Sequence, residues 1–232
     1  AVDTVIVTIQ CGIPVARVEL LDDVQMNAVN RYSNLSYPEQ STLFLEFDGT
    51  EQSVAEQSHW VAALAAEHGG DDFVWSTLPE EKTKLWQARH DAYHAARAMR
   101  PGCEGWVTDV CVPISTLTEC IVATRADVDR EGMLAPIVGH VGDGNFHVLL
   151  LVDPRSENEK ATAHSINDRL IERALSVGGT CTGEHGIGYG KIKHLEAEQG
   201  EAIDVMRQIK TALDPFGIMN PGKVVSAVLD TH

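Results

Sequence analysis

The 232-residue chain is poor in positive charge: 18 Lys and Arg stand against 34 Asp and Glu, a net charge of −16. Nucleic-acid binding needs clustered cations to neutralise phosphates, so this balance argues against it. It argues equally against docking on an anionic membrane through a basic patch. No apolar run approaches the roughly 20 residues that span a bilayer. No CxxC pair occurs among Cys11, Cys103, Cys111, Cys120 and Cys181. The odd number and the chain length argue against a disulfide framework, so free thiols in a reducing compartment are expected. There is no low-complexity linker, no exact repeat, no HExxH helix and no Walker A spacing. The opening AVDTVIVTIQCGIP has neither Met nor a basic n-region. A fragment without a signal peptide is the expectation.

Glycine set beside histidine is what the sequence does have. In GHVGDGNFH, Gly139 to His147, Asp143-Gly144 lies between β-prone runs. Asp-Gly there is a strong signal for a two-residue type I′ hairpin. Counting outward, His140 would face His147 and Val141 would face Phe146. Directly paired side chains share a sheet face, so the two imidazoles would make half of a transition-metal site. Two half-buried, hydrogen-bonded histidines are the plainer alternative.

The later TGEHGIGYG, Thr182 to Gly190, offers Glu184 as the third member of a His₂Glu set. Three protein ligands leave an open position, which marks a catalytic metal. His185 would lie beside the metal as a general base, or as a hydrogen-bonding support. A phosphate-cradling loop is the rival for this segment. Arg89, in LWQARHDAY, is either a solvated helical residue or a carboxylate clamp. Asn145 either reads a ligand or satisfies the turn. His90, His94, Arg97 and Arg100 are expected to be solvated. His59, His68, His164, His194 and His232 are expected at the surface. Trp60, Trp75, Trp86 and Trp106 are expected in the core.

The periodicity predicts helices from Val2, from Asp22 or Asp23 to Tyr32, and over 51–68, 79–99, 115–130, 158–177, 191–198 and 201–213. It predicts strands over 15–21, 42–47, 72–76 and 106–112, and the histidine hairpin over 137–152. Ser115 is read as a helix cap. The fold class expected is α+β: an antiparallel sheet with helices on one face.

GHVGDGNFH, TGEHGIG and LDPFGIMNPGKV, in this order, resemble the C-terminal region of FAD-linked oxidases of the vanillyl-alcohol-oxidase type. PVARVELLDDVQMNAVNRYS, TLFLEFDG, LWQARHDAYHAA and RPGCEGWVTDVCVPIS resemble the branch acting on D-2-hydroxy acids such as D-lactate. The resemblance implies hydride transfer to FAD, held mainly by an absent N-terminal domain. It implies a ferredoxin-like cap over residues 1–180, and a site loop, helices and tail over 181–232 that meet the flavin domain. It also implies a divalent metal, often zinc, on His140, His147 and Glu184, with His185 as base. Arg89 would hold the substrate carboxylate, and Asn220 would lie near the flavin. Relatives using dicarboxylates carry a lysine near Val107 and an asparagine at Leu149, so apolar residues there imply a small monocarboxylate. Glycolate and 2-hydroxyglutarate chemistry remain alternatives, as do a metal-dependent hydrolase and a non-catalytic module. The implied partners are a small 2-hydroxy acid and a cytochrome or quinone acceptor; a homodimer is allowed. The implied location is mitochondrial for a eukaryotic source. For a bacterial source it is the cytoplasm or the inner face of the membrane.

Overall fold

The computed structural model describes residues 1–71 and 73–225. Helix α1 (Val2–Gln10) buries Thr4, Val5 and Thr8, the helical spacing winning over a β-branched composition. Strand β1 (Arg17–Leu21) follows. Helix α2 (Asp23–Ser33) is capped by Asp22, whose carboxylate accepts the Gln25 N–H at 2.8 Å. Strand β2 (Thr42–Glu46) leads to α3 (Glu51–Glu67), capped by Thr50. The strand expected over 72–76 begins outside the described residues, and residues 73–76 form none. Val74 and Trp75 there are exposed, so no apolar face holds a strand in place.

The helix expected over 79–99 is broken at Asp91 into α4 (Pro79–His90) and α5 (Ala92–Ala98). Ser33 Oγ and Gln87 Nε2 both donate to the Asp91 carboxylate at the break. The strand expected over 106–112 is likewise split, into β3 (Glu104–Val107) and β4 (Val110–Cys111). Ser115 does not cap α6 (Leu117–Glu131), because a 3₁₀ turn over Ile114–Thr116 precedes it. After β5 (Ile137–Gly139) and β6 (Asn145–Val152), Ser156 caps α7 (Glu157–Ser176). Helices α8 (Ile192–Gln199) and α9 (Ala202–Leu213) complete the chain before the tail.

The strands form one antiparallel sheet in the order β2-β1-β5-β6-β3, with β4 also on β6. Along β6, Phe146, Val148, Leu150 and Val152 point into a core shared with residues of α1, α6 and α7. The expected helical layer is therefore present. A second layer lies on the opposite face, where Leu21, Val138 and Leu149 meet residues of α2, α4 and α5. All eight residues of β6 are buried, as a near-continuous apolar strand requires when both faces are covered.

Several single-residue expectations are corrected. Trp60 and Trp75 are more than half exposed. His194 is buried, with its Nε2 3.0 Å from Asp168 Oδ1. Arg100 is not free in solvent but grips Glu159 through both terminal nitrogens, at 2.8 and 2.9 Å. His232 lies outside the described residues.

The two-residue turn at Asp143-Gly144 is replaced by a 3₁₀ turn over Val141–Asp143. A type I′ turn needs positive φ at both central residues; here Gly144 has it (φ 78) and Asp143 does not. The Asp143 and Asn145 N–H groups both donate to His140 O. Pairing runs Ile137 with Val148 and Val138 with His147, so His140 comes opposite Asn145 rather than His147. This is a displacement of two residues. The side-chain period of a strand is two, so both histidines keep the same face.

Candidate active site and metal centre

On that face the rings of His140 and His147 are 5.9 Å apart. Glu184 Oε1 lies 3.0 Å from His147 Nε2 and 3.6 Å from His140 Nε2. The ligand atoms of His140, His147 and Glu184 all fall within 4.8 Å of one another.

Each imidazole is held by its other nitrogen. His140 Nδ1 is 2.7 Å from Glu19 Oε1, a carboxylate that can only accept, so Nδ1 carries the proton. His147 Nδ1 donates to Thr108 O at 3.0 Å. Both Nε2 atoms therefore present lone pairs towards Glu184, the second-sphere arrangement that orients metal-binding histidines. The break between β3 and β4 creates the Thr108 contact. The Val148 N–H takes Thr108 Oγ1 at 2.9 Å in place of its carbonyl, which frees that carbonyl for His147.

Arg89, in the last turn of α4, lies beside this pair. Its Nε donates to Glu19 Oε2 at 2.9 Å and its Nη2 is 3.4 Å from His140 Nε2. His185 stacks on His147, with ring centroids 4.9 Å apart and planes 7° from parallel. These side chains open on one cleft of about 750 Å³, with Ile9, Ile13, Val15, Val107, Val138 and Leu149 among its apolar lining.

The loop carrying Glu184 and His185 is seated on Asp109. Asp109 Oδ2 accepts from Thr182 Oγ1 (2.9 Å) and from the N–H groups of Glu184 (3.0 Å) and His185 (2.9 Å). Its Oδ1 accepts from Asn145 Nδ2 at 2.8 Å. Gly183 permits the approach, since a Cβ there would lie 1.9 Å from Asn145 Nδ2.

Burial alone would raise the pKa of the Asp109 carboxyl, but its hydrogen bonds outweigh burial and hold it far below the usual range. Glu19 behaves alike: burial opposes ionisation, and the His140 and Arg89 contacts overcome it. The Glu19 hydrogen bond raises the pKa of His140, whereas burial lowers that of His147. His147 is therefore the more readily neutral ring, and a proton competes more strongly for His140.

The sequence-derived set thus divides. His140, His147, Glu184, His185 and Arg89 come together around the cleft. Asn145 lies behind it: both amide N–H groups are spent on Asp109 and Val110 O, and its buried Oδ1 lacks a partner among the described residues. Asn220 sits on the exposed tail with φ 46, its Oδ1 accepting from Lys223 Nζ at 3.2 Å. Glu19, Thr108 and Asp109 went unrecognised in the sequence. The available signal was an acidic residue inside an apolar β run, in VARVELL and again in WVTDVCV. Buried carboxylates in such runs need partners.

The fold and these motifs define a class. The family model of FAD linked oxidases, C-terminal domain, matches residues 1–224. This chain belongs to that family. It is 51% identical over 226 residues to a zebrafish (Danio rerio) protein named probable D-lactate dehydrogenase, mitochondrial, covering 97% of this chain and 46% of that one. It is 46% identical to the mitochondrial D-lactate dehydrogenase [cytochrome] of Arabidopsis thaliana, covering 97% and 40%. The glycolate oxidase subunit GlcD of Escherichia coli K12 is 29% identical, over 91% and 43%. The chain spans less than half the length of these curated relatives. Among solved structures, 4-ethylphenol oxidase from Gulosibacter chungangensis, in its isoeugenol complex, superposes with a TM-score of 0.67 at 15% identity. That match covers 91% of this chain and 47% of the other, and the likeness is one of fold.

Proposed function

We propose that this chain is the substrate- and metal-binding part of an FAD-dependent D-2-hydroxy-acid dehydrogenase whose substrate is D-lactate. The observation that carries the reading is the convergence of two imidazole Nε2 atoms and the Glu184 carboxylate beside His185 and Arg89 in one cleft. The family and the names of the relatives support the chemistry.

The donor set fits a divalent cation of the zinc type: two neutral imidazoles, one carboxylate, and room left for substrate. When bound, the cation supplies Lewis acidity to the substrate hydroxyl, and FAD accepts the α-hydrogen as hydride. The remaining work falls to side chains. Arg89 keeps its Nε on Glu19 and turns its Nη edge to the substrate carboxylate, fixing the acid in one orientation. His185 takes the hydroxyl proton. Val107 and Leu149 line the cleft and suit the methyl group of lactate better than a second carboxylate.

Residues 1–180 act as the cap. Residues 181–232 carry the site loop and a tail that meets an FAD-binding domain. The exposed row Val205, Ile209 and Leu213 on α9, with Phe216, Ile218 and Met219 after it, supports such a contact. The names of the relatives support a cytochrome acceptor and, for a eukaryotic source, a mitochondrial location.

Anaerobic rapid mixing of the flavin-loaded protein with D-lactate, glycolate and D-2-hydroxyglutarate tests the assignment. D-lactate is expected to reduce the flavin fastest. Faster reduction by glycolate or by the dicarboxylate overturns the substrate; no reduction by any of them overturns the function.

A further inference from the structure

We propose that Asp109 is a positioning residue for this site: its buried carboxylate is the mould around which the Thr182–Gly186 turn sets, fixing where Glu184 and His185 point. The proposal rests on reading His140, His147 and Glu184 as a cation site.

Val107 pairs with Leu149 and Val110 with Phe146, so Asp109 falls directly across from His147. The residue is 1% exposed. One carboxylate oxygen takes the Asn145 amide; the other takes the Thr182 hydroxyl and two consecutive backbone N–H groups, those of Glu184 and His185. Lys191 Nζ donates to the Asp109 carbonyl at 2.7 Å and lies 3.7 Å from the carboxylate. Four donors thus meet this carboxylate, three of them on Oδ2 and one on Oδ1.

Asp109, His147 and His185 also lie close enough to make a ligand set of their own. Two facts argue against that use. Asp109 Oδ2 already accepts three hydrogen bonds, and His147 Nδ1, 3.7 Å from Asp109 Oδ1, already donates to Thr108 O. Asp109 acts instead through the backbone. Two successive N–H groups on one oxygen restrict the dihedrals of both residues, and with them the directions of both side chains. The turn closes on itself as the Gly186 N–H donates to Thr182 Oγ1 at 2.9 Å. One buried group thus links the strand bearing His147 to the segment bearing Glu184 and His185, which lie more than thirty residues apart in the chain.

The test measures Zn²⁺ affinity by competition with a chromophoric chelator, and amide hydrogen exchange at Glu184 and His185, in the flavin-loaded protein. Asp109→Asn is expected to weaken Zn²⁺ at least about tenfold and to release both amides, while exchange within β6 is unchanged. Thr182→Val and Thr182→Ser provide a second route that leaves the buried charge in place. The valine variant is expected to weaken Zn²⁺ and free the amides; the serine variant is expected to restore both. Wild-type affinity and protection in Asp109→Asn or in Thr182→Val overturn the proposal. If the unmodified protein takes up no Zn²⁺, the cation reading fails by itself. Loss of amide protection in the variants would then still uphold Asp109 as the anchor of the turn.

Discussion

Glu19 Oε1 stands 2.7 Å from His140 Nδ1, while the other oxygen of the same carboxylate accepts from Arg89 Nε at 2.9 Å. One buried acid therefore sets the tautomer of a histidine and the position of an arginine. Its two contacts join the proposed cation ligand His140 to the proposed substrate-binding Arg89.

Glu19→Gln is accordingly expected to weaken Zn²⁺ binding about 10–100-fold, the usual effect of losing such a support. The KM for D-lactate should rise as well, since Arg89 loses its anchor. Chelator competition and steady-state kinetics check the two effects. A change in one without the other would show that Glu19 does not couple them.

Gly183→Ala places a methyl group where Asn145 Nδ2 now lies 1.9 Å from the ideal Cβ position. The loop must lift from Asp109. Overpacking of this kind costs about 1–3 kcal/mol of stability. Denaturant unfolding should register that loss, and Zn²⁺ affinity should fall with it. An alanine variant with unchanged stability and unchanged affinity would mean that the loop has slack the structure does not show.

Burial pushes the Asp22 carboxyl up to about 6, against the Gln25 N–H bond and the Arg125 guanidinium. Its pKa is higher folded than unfolded, so its contribution to stability is fully present below pH 4 and is lost as pH rises through 6. That contribution is on the order of 3 kcal/mol. Asn is an equally good helix cap. Asp22→Asn should therefore remove this part of the decline in stability between pH 4 and 7 while α2 stays capped. Parallel stability curves for the two proteins over that range would contradict the assignment.

Cys11 is exposed, whereas Cys103, Cys120 and Cys181 are buried. Burial pushes the Cys181 thiol up to about 12, and its contact with Glu198 adds to the shift. A thiol reagent at pH 8 is expected to modify Cys11 first and Cys181 only on unfolding. Early labelling of Cys181 would show that the loop after it opens readily.

The convergence of His140, His147 and Glu184 was legible in the sequence because they sit in short glycine-rich motifs, GHVGDGNFH and TGEHGIG. Strand parity placed both histidines on one face even though the turn type and register were misjudged. What could not be read was long-range pairing. Glu19 meets His140 and Asp109 meets Glu184 across 121 and 75 residues, contacts that no local spacing encodes. The break at Thr108-Asp109 was hidden for a related reason. Trp106 to Val112 has strand composition throughout, and the interruption arises from Thr108 Oγ1 substituting for its own carbonyl. Trp60 and Trp75 show the converse, since residue type alone does not fix burial.

The proposed function stands on His140, His147 and Glu184 closing on one divalent cation. Anomalous diffraction from a crystal of the zinc-loaded protein tests it most directly. A single peak is predicted at about 2.0–2.2 Å from His140 Nε2, His147 Nε2 and a Glu184 carboxylate oxygen. A zinc peak elsewhere, with those three side chains unliganded, would contradict the account.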